Sequence, residues 1–298
     1  MAASPAFWDV AYGPGGSSDP ENSRFLRLHP APVEQHGTGT VVVLHGGYWK
    51  NKFGLDDAYG NAGTISLGPF FLARGFSVVE VEYRRRDHEG GGWPGTNEDV
   101  LMALRRIAEL KTEGLEDGEY GAAVRSLRPD RLMLIGHSAG GCLALWAAHH
   151  LAAESGAERA APLVLAAAPV ADLVKGFEMK VSDEGDAVEL YMKQPPTSDV
   201  GLEEYRKASP AALLPVTFPL LLAYGDADAD VPPLLVRSYA EQAKASAPEM
   251  VTTVEIPGAD HFHIVNAESE AWRQAIVPAL AKLVGVHFGA DAAASLMS

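Results

Sequence analysis

The residues most able to do chemistry are grouped at Gly136-His137-Ser138-Ala139-Gly140. An apolar run, Arg131-Leu132-Met133-Leu134-Ile135, precedes them, and a helix-like run, Cys142 to Ala148, follows. Strand, tight turn and helix in that order lift the serine out at the carboxyl edge of a sheet, where a substrate can reach it. A glycine on each side fits because a Cβ there would collide with the neighbouring strand and helix. Ser138 is therefore the candidate nucleophile of a G-x-S-x-G elbow.

A serine hydroxyl is a poor nucleophile near neutral pH. It needs a base in contact with it and a third group to orient that base. With a G-x-S-x-G nucleophile the acid and then the histidine follow along the chain. The acid candidates lie in Tyr224-Gly225-Asp226-Ala227-Asp228-Ala229-Asp230-Val231-Pro232, directly after an expected strand, where three aspartates compete. The histidine candidates, His261 and His263, lie in Pro257-Gly258-Ala259-Asp260-His261-Phe262-His263, after the last expected strand. Acyl transfer also needs hydrogen-bond donors aimed at the developing oxyanion. His45-Gly46-Gly47-Tyr48-Trp49 follows a strand, and its glycines allow the backbone to turn N–H groups inward. The amides of Gly47 and Tyr48 are the candidates on one side, and that of Ala139, at a helix N-terminus, on the other. His45 is expected to pin this loop by hydrogen bonding. Tyr48, Trp49, Trp93 and Phe262 lie beside these loops in sequence and suit an aromatic or acyl group through stacking and buried area, with packing under the oxyanion loop the first expectation for Trp49 and an open alternative for Trp93.

These loops need a frame. Strands are expected at 25–29, 40–45, 76–83, 131–135, 162–168, 219–224 and 251–256. Helices are expected at 67–74 (stopped by Gly75), from Thr96 through Ile107, after the elbow, and at 271–283. Strands alternating with helices imply an α/β fold, a mostly parallel sheet covered on both faces. Residues 1–23, rich in Gly, Pro, Ser and Asp, are expected to be irregular, and 24–298 to form one domain. The polar stretch 171–212, with Pro195-Pro196 inside it, breaks the alternation and reads as a small insertion over the carboxyl edge, either a lid or a solvated excursion.

Composition narrows the partners. The chain has 298 residues, 24 Lys plus Arg against 39 Asp plus Glu, and a formal net charge of -15. An acidic surface repels phosphate backbones and anionic lipid, so neither nucleic acid nor a membrane is expected as partner. A small-molecule substrate is, and a homodimer is compatible. The single cysteine, Cys142, excludes an internal disulfide and a Cys-based zinc site, and it reads as a small packing residue. His261 and His263 form an H-x-H, but no third ligand motif and no H-E-x-x-H accompany it, so no metal and no cofactor are expected. The first residues have neither a basic start nor an apolar core, and no apolar stretch has the length of a membrane span, so a cytoplasmic location is expected.

Together His45-Gly46-Gly47-Tyr48-Trp49, Gly136-His137-Ser138-Ala139-Gly140-Gly141, Asp228 and His261 resemble the α/β-hydrolase superfamily over roughly residues 38 to 285. Within it, H-G-G-x-W looks like the kynurenine formamidase (arylformamidase) group, although esterases carry similar loops. The superfamily spacing, Gly, two residues, Asp, two residues, Val-Pro, selects Asp228 as the acid. That leaves Asp226 and Asp230 to cap the turn or the next helix. The aromatic residue that usually follows the histidine selects His261. The resemblance implies an α/β-hydrolase fold and a serine hydrolase working through an acyl-enzyme on a small formamide or ester. N-formylkynurenine comes first, and short-chain carboxylic esters are the alternative. A carboxylate on N-formylkynurenine would want a cationic clamp, for which Arg84 and Arg85 are the candidates, unless both serve structural ion pairs. A ligand-binding protein without catalysis on the same fold is the alternative of another class.

Overall fold

The computed structural model describes residues 7–13, 23–31, 38–56, 63–113, 120–154, 161–182 and 184–298. Among them eight strands form one sheet: β1 (Trp8–Ala11), β2 (Phe25–His29), β3 (Thr40–Leu44), β4 (Ser77–Glu82), β5 (Leu132–His137), β6 (Leu163–Ala167), β7 (Leu220–Gly225) and β8 (Val251–Ile256). Their order across the sheet is β1-β2-β4-β3-β5-β6-β7-β8. β1 and β2 are antiparallel to their neighbours, and every pairing from β4 to β8 is parallel. The helices are α1 (Leu67–Leu72), α2 (Gly95–Thr112), α3 (Gly121–Ser126), α4 (Ala139–Glu154), α5 (Leu173–Glu178), α6 (Ala187–Met192), α7 (Asp199–Ala208), α8 (Pro233–Ser246), α9 (Val277–His287) and α10 (Ala290–Met297).

The doubly covered sheet follows from the continuous apolar strands. β3, β4, β5, β6 and β7 are buried at every position, as strands between two helical layers must be. Alternate residues feed opposite cores. Val42, Leu44, Leu134, Val164 and Leu222 pack with residues of α2, α4 and α8. Val41, Val43, Met133, Ile135 and Leu221 pack with Leu67, Phe71, Trp272 and Leu280 on the other face. Among the described residues no helix is long and apolar enough to cross a membrane.

Three expectations are corrected. The segment before residue 24 is not all irregular, because Trp8–Ala11 pairs with Phe25–Leu28 as an edge strand. The C-terminal helix begins as a wide π-type turn at Trp272–Ile276, runs on as α9, and is followed by α10 after Gly289. The polar stretch after β6 is largely helical (α5 to α7). It places Leu173, Val181, Val188, Tyr191, Met192 and Tyr205 in the main core. It therefore packs onto the body, and it leaves the sheet at the carboxyl end of β6, the same edge as the elbow.

Candidate active site

β5 ends at His137, and α4 begins one residue after Ser138. Ser138 itself takes a left-handed conformation, φ 57°. For a residue with a Cβ this costs about 1–2 kcal/mol. Three backbone bonds hold it there. Its N–H donates to the carbonyl of Ala167 at 2.9 Å, and its carbonyl accepts from Cys142 at 3.1 Å and Val170 at 3.3 Å. The flanking glycines are required by close approach. A Cβ on Gly136 would lie 2.2 Å from the Gly140 carbonyl oxygen, and one on Gly140 would lie 2.1 Å from that of Leu44. Both distances are far inside contact, so the turn closes only with hydrogen at these positions.

Asp228 and His261 come from the loops after β7 and β8, parallel neighbours whose ends lie side by side. His261 Nδ1 is 2.7 Å from Asp228 Oδ2. Asp228 Oδ1 accepts the amides of Asp230 (2.9 Å) and Val231 (2.8 Å), which fixes the carboxylate. Exposure is 3% at Ser138, 6% at Asp228 and 3% at His261, so the pair is largely out of water. The neighbouring His137 donates from Nε2 to the His261 carbonyl at 2.9 Å, and the two rings lie 4.4 Å apart. The residue before the nucleophile thus carries the loop of the base. Among the described residues Ser138 Oγ makes no hydrogen bond, so the serine–histidine contact is not closed in this structure. Such contacts tighten in substrate complexes.

The loop after β3 passes over the elbow: a Cβ at Gly46 would lie 3.2 Å from Ser138 Cβ. Gly47, Tyr48 and Trp49 have φ of 99°, 54° and 57°, a run that curls the backbone. The Gly47 amide donates to nothing among the described residues. Ala139 opens α4, where the first amides have no acceptor within the helix. His45 pins the loop through Nδ1 to the Gly46 carbonyl (2.9 Å) and Nε2 to Glu82 (3.3 Å), stacked on Tyr83 at 4.4 Å. Tyr83 donates its hydroxyl to the His45 carbonyl at 2.6 Å. Burial pushes the Glu82 carboxyl up, but His45, Arg85 and the Leu55 amide outweigh it and hold the group below the usual carboxylate range.

The remaining candidates fare differently. Phe262 is half exposed, with its ring 5.3 Å from that of His261 and 5.7 Å from that of His137, at the rim beside the base. Trp49 follows the packing alternative and lines no pocket: it is buried and stacked on Tyr191 at 4.1 Å. Trp93 is half-buried, edge-on to Trp146 at 5.9 Å with its Nε1 donating to Glu204 at 2.8 Å. Arg84 binds the fully buried Asp99 through Nε and Nη2, both at 2.7 Å, and Arg85 binds Glu82. Both arginines are therefore structural, and neither is the clamp expected for a substrate carboxylate. Asp230 caps no helix: its carboxylate takes the Tyr48 hydroxyl, joining the oxyanion loop to the acid loop. Nor does Asp226 cap its own turn: it accepts the Gly258 amide at 2.6 Å, tying the acid loop to the loop of the base. Sequence reading missed Glu82, Tyr83 and His137 as supports of the site. His137 carried a signal as the histidine inside the elbow motif, and Glu82-Tyr83 carried one as part of a Glu-Tyr-Arg-Arg segment shared with other hydrolases. Asp228, Asp230 and His261 bring ligand atoms within 4.8 Å of one another, a proximity that the hydrogen bonds above explain.

The family model described as BD-FAE matches residues 26–242. None of the curated proteins compared matches the chain. Among solved structures, a bifunctional GH43-CE protein of Bacteroides eggerthii superposes with a TM-score of 0.65 at 18% identity, over 87% of this chain and 36% of that one. This chain thus spans only about a third of that protein. Esterase B of Lactobacillus rhamnosis superposes with a TM-score of 0.64 at 20% identity, over 97% and 87%. Carboxyl esterase 2 of Tuber melanosporum gives 0.62 at 17%, over 99% and 89%. At such identities the likeness concerns the fold, an α/β-hydrolase sheet with its helices.

Proposed function

This chain belongs to the BD-FAE family, and on that footing we propose that it is a serine carboxylesterase acting on a small ester through an acyl-enzyme. Ser138 Oγ attacks the ester carbonyl while His261 Nε2 takes its proton. Asp228 holds Nδ1–H and stabilises the imidazolium. The amides of Gly47, Tyr48 and Ala139 receive the oxyanion. His261 then returns the proton to the leaving alcohol, and water releases the acid by the same steps in reverse. The observation that carries the reading is the buried Asp228–His261 hydrogen bond at 2.7 Å, standing beside a strained serine elbow. The names of two of the structural neighbours given above, both esterases, support an ester over a formamide.

The formamidase expectation has no such support, and the two arginines thought to receive its carboxylate are engaged elsewhere. Turnover of p-nitrophenyl acetate and of N-formylkynurenine by the same preparation tests the choice. Ester hydrolysis abolished by Ser138→Ala, with little formamide turnover, is expected. Ester hydrolysis retained in Ser138→Ala ends the mechanism, and faster turnover of the formamide reverses the substrate class.

A further inference from the structure

The chain is strongly acidic, yet cations converge next to the oxyanion loop. Lys50 donates its amide to the Gly47 carbonyl at 2.9 Å, and Arg86 donates its own to the Trp49 carbonyl at 2.8 Å. Both backbones are thus tied to the curled segment that would supply the oxyanion amides. Lys50 Nζ lies 5.6 Å from the centre of the Tyr48 ring, whose hydroxyl reaches Asp230 in the acid loop. The Lys50 and Arg86 side chains are each only 7% exposed. Burial of long cationic side chains is unfavourable unless acceptors meet them.

Acceptors come from the turn between α5 and α6 and from Asp87, and only Glu184 makes a hydrogen bond to either cation. Glu184 meets Lys50, but its carboxylate stays 59% exposed. Asp186 Oδ1 stands 3.8 Å from Arg86 Nη1, and Asp87 Oδ1 stands 3.6 Å from Arg86 Nε. Neither is a hydrogen bond. Arg86 Nε and Nη1 and Asp186 Oδ1 are all buried without a hydrogen-bond partner among the described residues. Buried donors rarely go unmet, and each of these N–H groups, on different edges of the guanidinium, can donate a charge-assisted hydrogen bond to a carboxylate oxygen. The turn that brings these acids is itself contorted, with φ of 105° at Ser182 and 73° at Gly185. The cations also act jointly on the acid: Lys50, Lys52 and Arg86 all lower the Glu184 carboxyl, the Lys50 hydrogen bond most.

We propose that Lys50 and Arg86 form an anion subsite beside the oxyanion loop that takes a carboxylate of the substrate, and that Glu184 and Asp186 occupy its mouth in this structure as carboxylate stand-ins. The preferred substrate is then an ester that carries a carboxylate elsewhere in the molecule. An incoming carboxylate displaces acids that are partly exposed and only loosely paired with Arg86 and meets guanidinium N–H groups they leave unmet. The inference rests on the esterase reading for its substrate, but the subsite stands apart from the nucleophile.

The test compares kcat/KM for 4-acetoxybenzoate and neutral phenyl acetate, as a ratio, in the wild type and in Lys50→Gln, Arg86→Gln and Glu184→Gln. Benzoate binding by calorimetry, which needs no turnover, is measured alongside. Loss of one charge-assisted contact is expected to lower the ratio about tenfold, through KM, in Lys50→Gln and Arg86→Gln. Benzoate affinity should fall with it. Glu184→Gln, at an exposed position, should raise both severalfold. A ratio and a benzoate affinity unmoved by Lys50→Gln and Glu184→Gln overturn the subsite, even if Arg86→Gln does not fold. If neither ester is turned over but benzoate binding responds as described, the esterase reading fails and the subsite stands.

Discussion

Replacing Asp228 by Asn should damage catalysis through the tautomer of His261, and the surrounding bonds say which tautomer results. Asp228 Oδ1 accepts two amides, from Asp230 and Val231, at 2.9 and 2.8 Å. Only the carbonyl oxygen of an asparagine can stay there, because an NH2 group would face two donors. The NH2 must then turn to His261 Nδ1, now 2.7 Å from Oδ2. Nδ1 becomes an acceptor, the ring proton moves to Nε2, and the base can no longer take a proton from Ser138. The packing is unchanged, so stability should remain within about 1 kcal/mol of wild type. The fall in kcat should be about 10⁴-fold, or about 5 kcal/mol of transition-state stabilisation. Hydrolysis of p-nitrophenyl acetate at neutral pH, with thermal melts alongside, gives both numbers. A variant that keeps activity within about tenfold of wild type would refute the assignment of Asp228 as orienting acid.

Other expectations follow from single contacts. Gly140→Ala places a Cβ 2.1 Å from the Leu44 carbonyl oxygen and 2.4 Å from that of His45. It should cost about 3 kcal/mol or more in chemical denaturation and lower ester turnover as the elbow shifts. Arg84→Ala leaves the fully buried Asp99 without its guanidinium and should cost about 3–5 kcal/mol, part of it recovered by adding Asp99→Asn. Burial, with a smaller contribution from His150, pushes His149 from 6.5 down to about 4. Between those values the unfolded chain binds a proton that the folded chain does not, so stability is full above the upper one and falls on acidification. The loss approaches about 3 kcal/mol. Denaturation midpoints in His149→Leu should show a shallower fall across that window; an identical fall would remove His149 as its source.

Much of this arrangement is written locally in the chain. Gly136, Ser138 and Gly140 declare the elbow because one turn geometry needs all three, and continuous apolar runs declare strands covered on both faces. Contacts between distant segments carry no comparable local mark. Nothing near Asp230 indicates that a tyrosine hydroxyl from the loop after β3 will seek it in preference to a helix end. Trp49 next to the oxyanion glycines reads as a support under that loop or as a pocket wall, but nothing in the sequence names its partner: the ring stacks on Tyr191, supplied by the segment that breaks the strand–helix alternation. That segment looked polar because its apolar residues are spread over three short helices, too short for a clear period. β1 was hidden for a similar reason: four residues within a Gly- and Pro-rich stretch gain their structure from pairing with β2.

Covalent labelling tests the nucleophile most directly. Treatment with a fluorophosphonate, followed by intact mass and peptide mapping, should give one adduct, on Ser138, formed quickly in the wild type and far more slowly in His261→Ala. No adduct, or one mapped to another residue while Ser138 stays unmodified, would contradict the account.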